Sequence, residues 1–236
     1  MRVTIGLECS PQRFRFHDSV HAALVAGLAA AGAPSQDLVG AAARPWSFAV
    51  KGFSRRGGES AATAILLSSP DPAIQDAMSA LDLRHVRVAS TNGDTIDCGG
   101  GCLKACHRLP APGQDALALA LASPVVLVSP KVGREQTRYA ESVEEIDLPT
   151  ALRRSVETRA GRGLDIEIEV DRLALRTSVL KRIVWLRRAP TGRRIGVPAF
   201  RFPLTMRGTP ADLRFAFLAG LGAKTRQGFG LPIIAV

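Results

Sequence analysis

Apolar and polar positions alternate from Arg2 to Glu8, the period of a strand with one buried face. The period then changes. Val20, Leu24 and Leu28, with Ala23 and Ala31, recur three and four apart, which predicts a helix over His17 to Ala31, opened near Asp18 or Ser19 and closed by Gly32. Alternation returns over Trp46 to Phe53 and Ala62 to Leu67. Asp71 before Pro72 is a helix start, so Pro72 to Leu83 is predicted helical. Val86 to Ala89 reads as a fourth strand, continuing weakly to Ile96. The order is strand, helix, strand, strand, helix, strand.

Residues Asp97 to Gly113, rich in Gly, Cys and Pro, read as a linker, with a boundary at Ala111 to Gly113. It separates an expected first domain, 1–110, from a second, 114–236. The second repeats the order of the first. Its elements are Ala116 to Val128, a helix over Leu148 to Ala160, and strands Arg182 to Leu186 and Ile195 to Met206 around the turn Ala189 to Arg193. A final helix, capped by Thr209 with Pro210 in its first position, carries Leu213, Phe217 and Leu218 inward and ends at Gly220. Phe229 to Val236 is the last strand. Leu164 to Lys181 is left over and reads as a basic insertion. A repeated βαββαβ unit is a pair of ferredoxin-like, RRM-like domains, so the expected class is α+β. Many RNA-binding modules use the open face of such a sheet. No RRM signature or aromatic pair is present, so binding is expected to rest on basic grooves.

Charge narrows the partner. The chain carries +10 at a pI near 10.4, with 26 Arg against 5 Lys. A globular chain this basic usually meets a polyanion, and Arg makes two hydrogen bonds to one phosphate. Arg153 to Arg207 alone holds 13 Arg and 1 Lys against 5 acids. The alternative is a basic surface without a specific partner. No apolar run reaches the ~18 residues of a spanning helix, and the start lacks a signal-peptide core, so no membrane partner and a cytoplasmic location are expected. Four cysteines make no disulfide scaffold. Cys98-x3-Cys102-x3-Cys106-His107 has zinc-type ligands but not the usual knuckle spacing, and reduced thiols without a metal are the preferred reading.

The segment Gly220-Leu-Gly222-Ala-Lys224-Thr-Arg226-Gln227-Gly228-Phe-Gly230 is the most distinctive motif. Glycines permit turns and close approach, consecutive amides can form an anion nest, and Lys224 and Arg226 add charge. The plain alternative is a glycine-rich helix exit and tight turn. The Gly-h-Gly, five residues, Gly-h-Gly spacing resembles the C-terminal glycine-rich loop of CRISPR-associated repeat-RNA endoribonucleases of the RAMP superfamily. Leu152-Arg153-Arg154 and the tandem order are similar too. The Arg-rich insertion looks like that of the type IV enzymes. The resemblance implies cofactor-free, metal-independent cleavage of a CRISPR repeat hairpin, retention of the product, and other CRISPR effector subunits as partners. It also admits a non-catalytic subunit that only grips guide RNA.

Such cleavage needs a base for the 2′-hydroxyl, an acid for the departing oxygen and cations for the phosphate. In the resembling family a catalytic histidine, where there is one, lies near the first helix, and members without one rely on Lys, Arg or Tyr. His17 and His21 are there, four apart and on one face, with His17 ahead at the helix entry. Each could equally be structural. Lys51, Arg55 and Arg56 are the substitutes or the phosphate clamps. Arg187, Arg188, Arg193 and Arg194 flank a hairpin turn suited to an RNA groove. Gly222, Lys224, Arg226, Gln227 and Gly228 complete the expected RNA contacts.

Overall fold

The structure is a computed structural model that describes all residues except 41–42, 55–58, 92, 106–108, 130–137, 178–179 and 236. The first half contains β1 (Arg2–Gly6), β2 (Gln12–Phe14), α1 (His17–Ala30), α2 (Ser35–Leu38), β3 (Ser47–Ser54), β4 (Ser60–Ser68), α3 (Pro72–Ser79), β5 (Arg87–Thr91), β6 (Asp94–Asp97) and β7 (Cys102–Ala105). Its sheet runs β3-β4-β1-β7, antiparallel throughout, with β2 also paired to β4. Val3 and Ile5 of β1 face the helices and join one core with Leu24, Leu28, Phe48, Ile74 and Met78.

Two expectations change here. The strand expected at Val86 to Ile96 is instead a separate hairpin, β5 and β6. The fourth strand of the sheet is β7, inside the segment read as a linker. Gly101 lets the chain return against β1, since a Cβ there would stand 2.7 Å from the Gly6 carbonyl oxygen. The start of α1 also differs. Its N-cap is Phe16, with no side-chain cap. Asp94, buried and distant in sequence, accepts from the Arg15 and Phe16 amides at 2.9 and 3.0 Å and from Ser19 Oγ at 3.0 Å. That contact fixes the first turn of α1, where His17 sits.

The second half contains β8 (Ala116–Leu121), α4 (Leu148–Ala160), β9 (Ile166–Val170), α5 (Arg172–Thr177), β10 (Leu180–Arg188), β11 (Arg194–Arg201), β12 (Leu204–Gly208), α6 (Pro210–Ala219) and β13 (Pro232–Ile234). Its sheet runs β13-β8-β12-β9, again the ferredoxin-like order. β9 is therefore integral to the fold, with Ile166, Ile168 and Val170 buried, and does not belong to the insertion expected over Leu164 to Lys181. The insertion is α5 with the ribbon β10–β11. The expected strand Ile195 to Met206 breaks at Phe202-Pro203, because proline supplies no amide to a ladder. Ala116 to Val128 likewise stops before Ser123-Pro124. Thr209 occupies the N-cap of α6, but its side chain makes no cap bond.

The halves meet across the outer face of the first sheet. Ala49 and Leu66 pack there against Leu231, Ala122 and Ile233. Arg2 is fully buried on that face and donates to the Phe217 and Pro232 carbonyls, both at 2.9 Å, with its guanidinium 4.0 Å from the Phe217 ring centroid. This covered patch is not an open platform for bases.

Candidate functional site

The glycine segment follows α6 and is largely buried. Its backbone folds on itself: Leu221 N–H donates to Gly230 O, Gly222 N–H to Ser155 Oγ, Ala223 N–H to Val126 O, and Gly230 N–H to Pro124 O, at 2.8 to 2.9 Å. Gln227 and Gly228 N–H close a short helical turn on Lys224 and Thr225 carbonyls. These six amides are committed inside the protein, so the expected anion nest is not formed by them. Glycine is required at Gly230 because its φ is 64° and a Cβ would meet Leu221 O at 1.8 Å. Arg159 of α4 braces the other side, donating to the Gly220 and Gly222 carbonyls at 2.5 and 2.8 Å. Burial first, then the nearby Arg226 charge, lowers its pKa to about 10.

α1 holds the loop through its two histidines. Each Nδ1–H donates to a loop carbonyl, His17 to Gln227 O at 3.1 Å and His21 to Arg226 O at 2.6 Å. With Nδ1 carrying the proton, the Nε2 atoms are acceptors. His17 packs among Phe14, Phe48 and Phe229, and burial drives its pKa down to about 4, against a smaller opposing effect of the Gln227 hydrogen bond. His21 stacks on Trp46 at 5.4 Å and is shifted down by the same cause. The rings border different cavities. Sharing one helical face therefore does not bring them to one phosphate.

His17 opens onto a cleft of about 310 Å³ between the halves. Arg15 enters it from the turn before α1, and Arg182 and Arg201 enter from β10 and β11, with Trp185, Val50, Gly52, Ser60 and Pro124 around them. None of the three arginines has an ion-pair partner among the described residues. Arg201 donates to Ala122 O at 2.9 Å, and its pKa is lowered by burial and then by Arg182. Three guanidiniums without ion-pair partners among the described residues, beside an imidazole acceptor, can together hold an anion. Sequence reasoning missed this set. Its members come from three elements, and no local pattern links them.

The other expected contacts scatter around this cleft. Arg187, Arg188, Arg193 and Arg194 are exposed on the ribbon. Lys51 is exposed on β3, between Val50 and Gly52 of the cleft wall. Arg55 and Arg56 lie outside the described residues. Lys224 Nζ donates to Gln227 Oε1 at 2.9 Å and stands 5.4 Å from the Tyr139 ring, while Gln227 Nε2 donates to Asp18 Oδ1 at 3.0 Å. Arg226 donates to Gly40 O at 2.8 Å. Both loop cations are thus partly engaged in holding the loop. Cys98 is buried in the first core, its thiol pushed up to about 12 by burial and then by Asp97, whereas Cys102 is exposed. Cys106 and His107 lie outside the described residues.

A family model described as CRISPR associated protein Cas6, C-terminal, matches residues 110–232. Among solved structures, the chain is similar to a Cas6-related protein from Pyrococcus furiosus, with a TM-score of 0.68 and 14% identity over 100% of this chain and 98% of that one. It is similar to a RAMP protein described as binding different RNA substrates, with a TM-score of 0.65 and 17% identity over 100% of both chains. A Cas6 product complex matches with a TM-score of 0.59 and 16% identity over 100% of this chain and 99% of that one. No curated protein matches the chain in sequence. No helix among the described residues is long and apolar enough to cross a membrane.

Proposed function

The chain belongs to the CRISPR-associated Cas6 family, and from that premise we propose that it cuts the CRISPR repeat transcript in the cleft, with His17 as general base. The observation that carries this reading is the His17 tautomer. Its Nδ1–H donates to Gln227 O, so Nε2 is left as an acceptor beside three arginines that have no ion-pair partner among the described residues. Nε2 takes the 2′-hydroxyl proton. The oxygen attacks the adjacent phosphorus, the bond to the 5′-oxygen breaks, and the products are a 2′,3′-cyclic phosphate and a 5′-hydroxyl. Arg15, Arg182 and Arg201 stabilise the charge on the crowded phosphate. His21 borders another cavity, so the leaving oxygen takes its proton from solvent and turnover is slow.

The ribbon supports a second contact. Arg187, Arg188, Arg193 and Arg194 would straddle the backbone of the repeat stem, as Lys51, Arg55 and Arg56 would on the other rim. Lys224, Arg226 and Gln227, with the glycines 222 and 228, would add a smaller electrostatic share while fixing the loop. The mature guide would stay bound and meet other effector subunits in the cytoplasm. The arginine-rich α5–β11 insertion is the ground for assigning the type IV variety.

One observation favours a binding-only guide-RNA subunit: both histidines are locked onto the loop, and a pKa near 4 makes His17 a weak base. Incubation with repeat RNA in EDTA decides between the two. Cutting of all-ribose RNA, blocked by a 2′-deoxy sugar at the cut site, is expected. Intact all-ribose RNA refutes the nuclease, and cutting of the deoxy RNA at the same site refutes 2′-hydroxyl attack.

A further inference from the structure

The cleft contains an aromatic ring that phosphate chemistry leaves unused. Trp46, one of the two tryptophans, is fully buried in the first core. Trp185 is half-buried on β10 and borders the cavity with Arg182, Arg15 and Phe14. Its cross-strand partner is Gly196, where a Cβ would stand 2.8 Å from Trp185 Cε3. The missing side chain lets the indole rest against the β11 backbone. Arg194 stands 5.8 Å from the ring centroid. The ring is thus held on a rigid ribbon at the cavity wall.

A flat apolar ring next to three guanidiniums without ion-pair partners among the described residues matches one kind of ligand. An inorganic anion would leave the indole unused. A purely apolar molecule would strip water from three charges and return nothing to them. A paired stem offers grooves and phosphates, with its base faces already stacked. An unpaired nucleotide offers both a π-face and phosphates.

We propose that the cleft takes an unpaired nucleotide of the RNA, its base stacked on Trp185 and its flanking phosphates held by Arg15, Arg182 and Arg201. The identity of the polymer rests on the RNA-processing function proposed above; the stack does not require cleavage. Trp185 is then a specificity residue that selects single-stranded sequence at the mouth of the cleft, while the exposed ribbon arginines meet the backbone outside it.

The test uses the full chain and 2′-O-methyl hexaadenylate, which lacks the attacking hydroxyl, against the same hexamer with every base removed. Hexaadenylate is expected to quench tryptophan fluorescence and to bind more tightly than the abasic hexamer. Trp185→Ala is expected to weaken hexaadenylate by about 5- to 150-fold, the range of one base–aromatic stack. Trp185→Phe should retain most of the affinity, and neither variant should change the affinity for the abasic hexamer. Equal affinity of the wild type for the two hexamers overturns the proposal without recourse to any variant. So does a Trp185→Ala loss that is the same for both. Repeat RNA that is bound but uncut, with Trp185-dependent stacking intact, refutes the nuclease and leaves this inference standing. Cutting without base-dependent binding does the reverse.

Discussion

Acid should unfold this protein partly through His17. The fold holds that ring neutral, with a pKa lowered by burial from 6.5 to about 4. Above about pH 6.5 the ring is neutral in the folded and the unfolded chain, and its contribution to stability is whole. Between 6.5 and about 4 the unfolded chain binds a proton that the folded chain refuses, so stability falls as pH falls. Below about 4 the folded ring also accepts the proton and this loss stops growing. Each unit of separation is worth about 1.4 kcal/mol, so the ring accounts for about 3 kcal/mol across the window. A domain has only about 5–15 kcal/mol to lose. The assay is urea unfolding at pH 7, 6, 5 and 4 for wild type and His17→Gln, whose amide offers an N–H to Gln227 O without titrating. His21 shifts in the same direction and persists in both proteins. The difference between the two stability curves isolates His17, and it should change by about 3 kcal/mol over that range. Parallel curves would falsify the neutral, carbonyl-bound imidazole, and with it the assignment of Nε2 as the free acceptor.

Arg2→Met should cost about 3–5 kcal/mol by denaturant unfolding, because two buried carbonyls lose a charged donor; a loss below about 1 kcal/mol would show that the bonds are dispensable. Gly230→Ala, with its 1.8 Å clash against Leu221 O, should destabilise by more than about 3 kcal/mol. Gly113→Ala has the same sign of φ but nothing within 4 Å, so it should cost only about 1–2 kcal/mol, and equal losses in the two variants would refute the packing argument. Replacing Arg187 and Arg193 by Ala should leave the melting temperature unchanged and weaken RNA binding. The log–log salt slope should fall by about 0.7–0.9 for each phosphate contact removed, and an unchanged slope would exclude the ribbon from the interface.

The sequence made the repeated order legible because its helices and central strands bury one face. Val20, Leu24 and Leu28 on α1 and the cap-and-proline start of α3 are local signals that tertiary packing only reinforced. β7 was missed because Cys102-Leu-Lys-Ala105 is mostly exposed, and an edge strand with little to bury leaves no period. β9 was visible as an alternation but assigned to the wrong unit, since the ribbon after it has the same alternating character and competes for the place of second strand. The glycine motif was legible as a motif, yet its amides turned inward. Sequence shows that a glycine permits close approach, not which atoms approach it. The cleft was the least legible part. Arg15, Arg182 and Arg201 become neighbours only once the insertion folds back on the start of α1, and Asp94, which fixes that start, lies 78 residues from the Phe16 amide it caps.

Arg2 also has a consequence for how the chain is made. Its two carbonyl partners lie 215 and 230 residues further along. At about 5–20 residues per second, some 10 to 45 s of synthesis separate the guanidinium from the atoms that will receive it. Throughout that interval the first sheet can close its own core, but its outer face, with Arg2, Ala49 and Leu66, has nothing to dock against. A charge at that place keeps the nascent face hydrated and discourages premature association with another half-made chain. Docking of the two halves is therefore a late step: the outer face of the first sheet closes only after Phe217 and Pro232 have been synthesised.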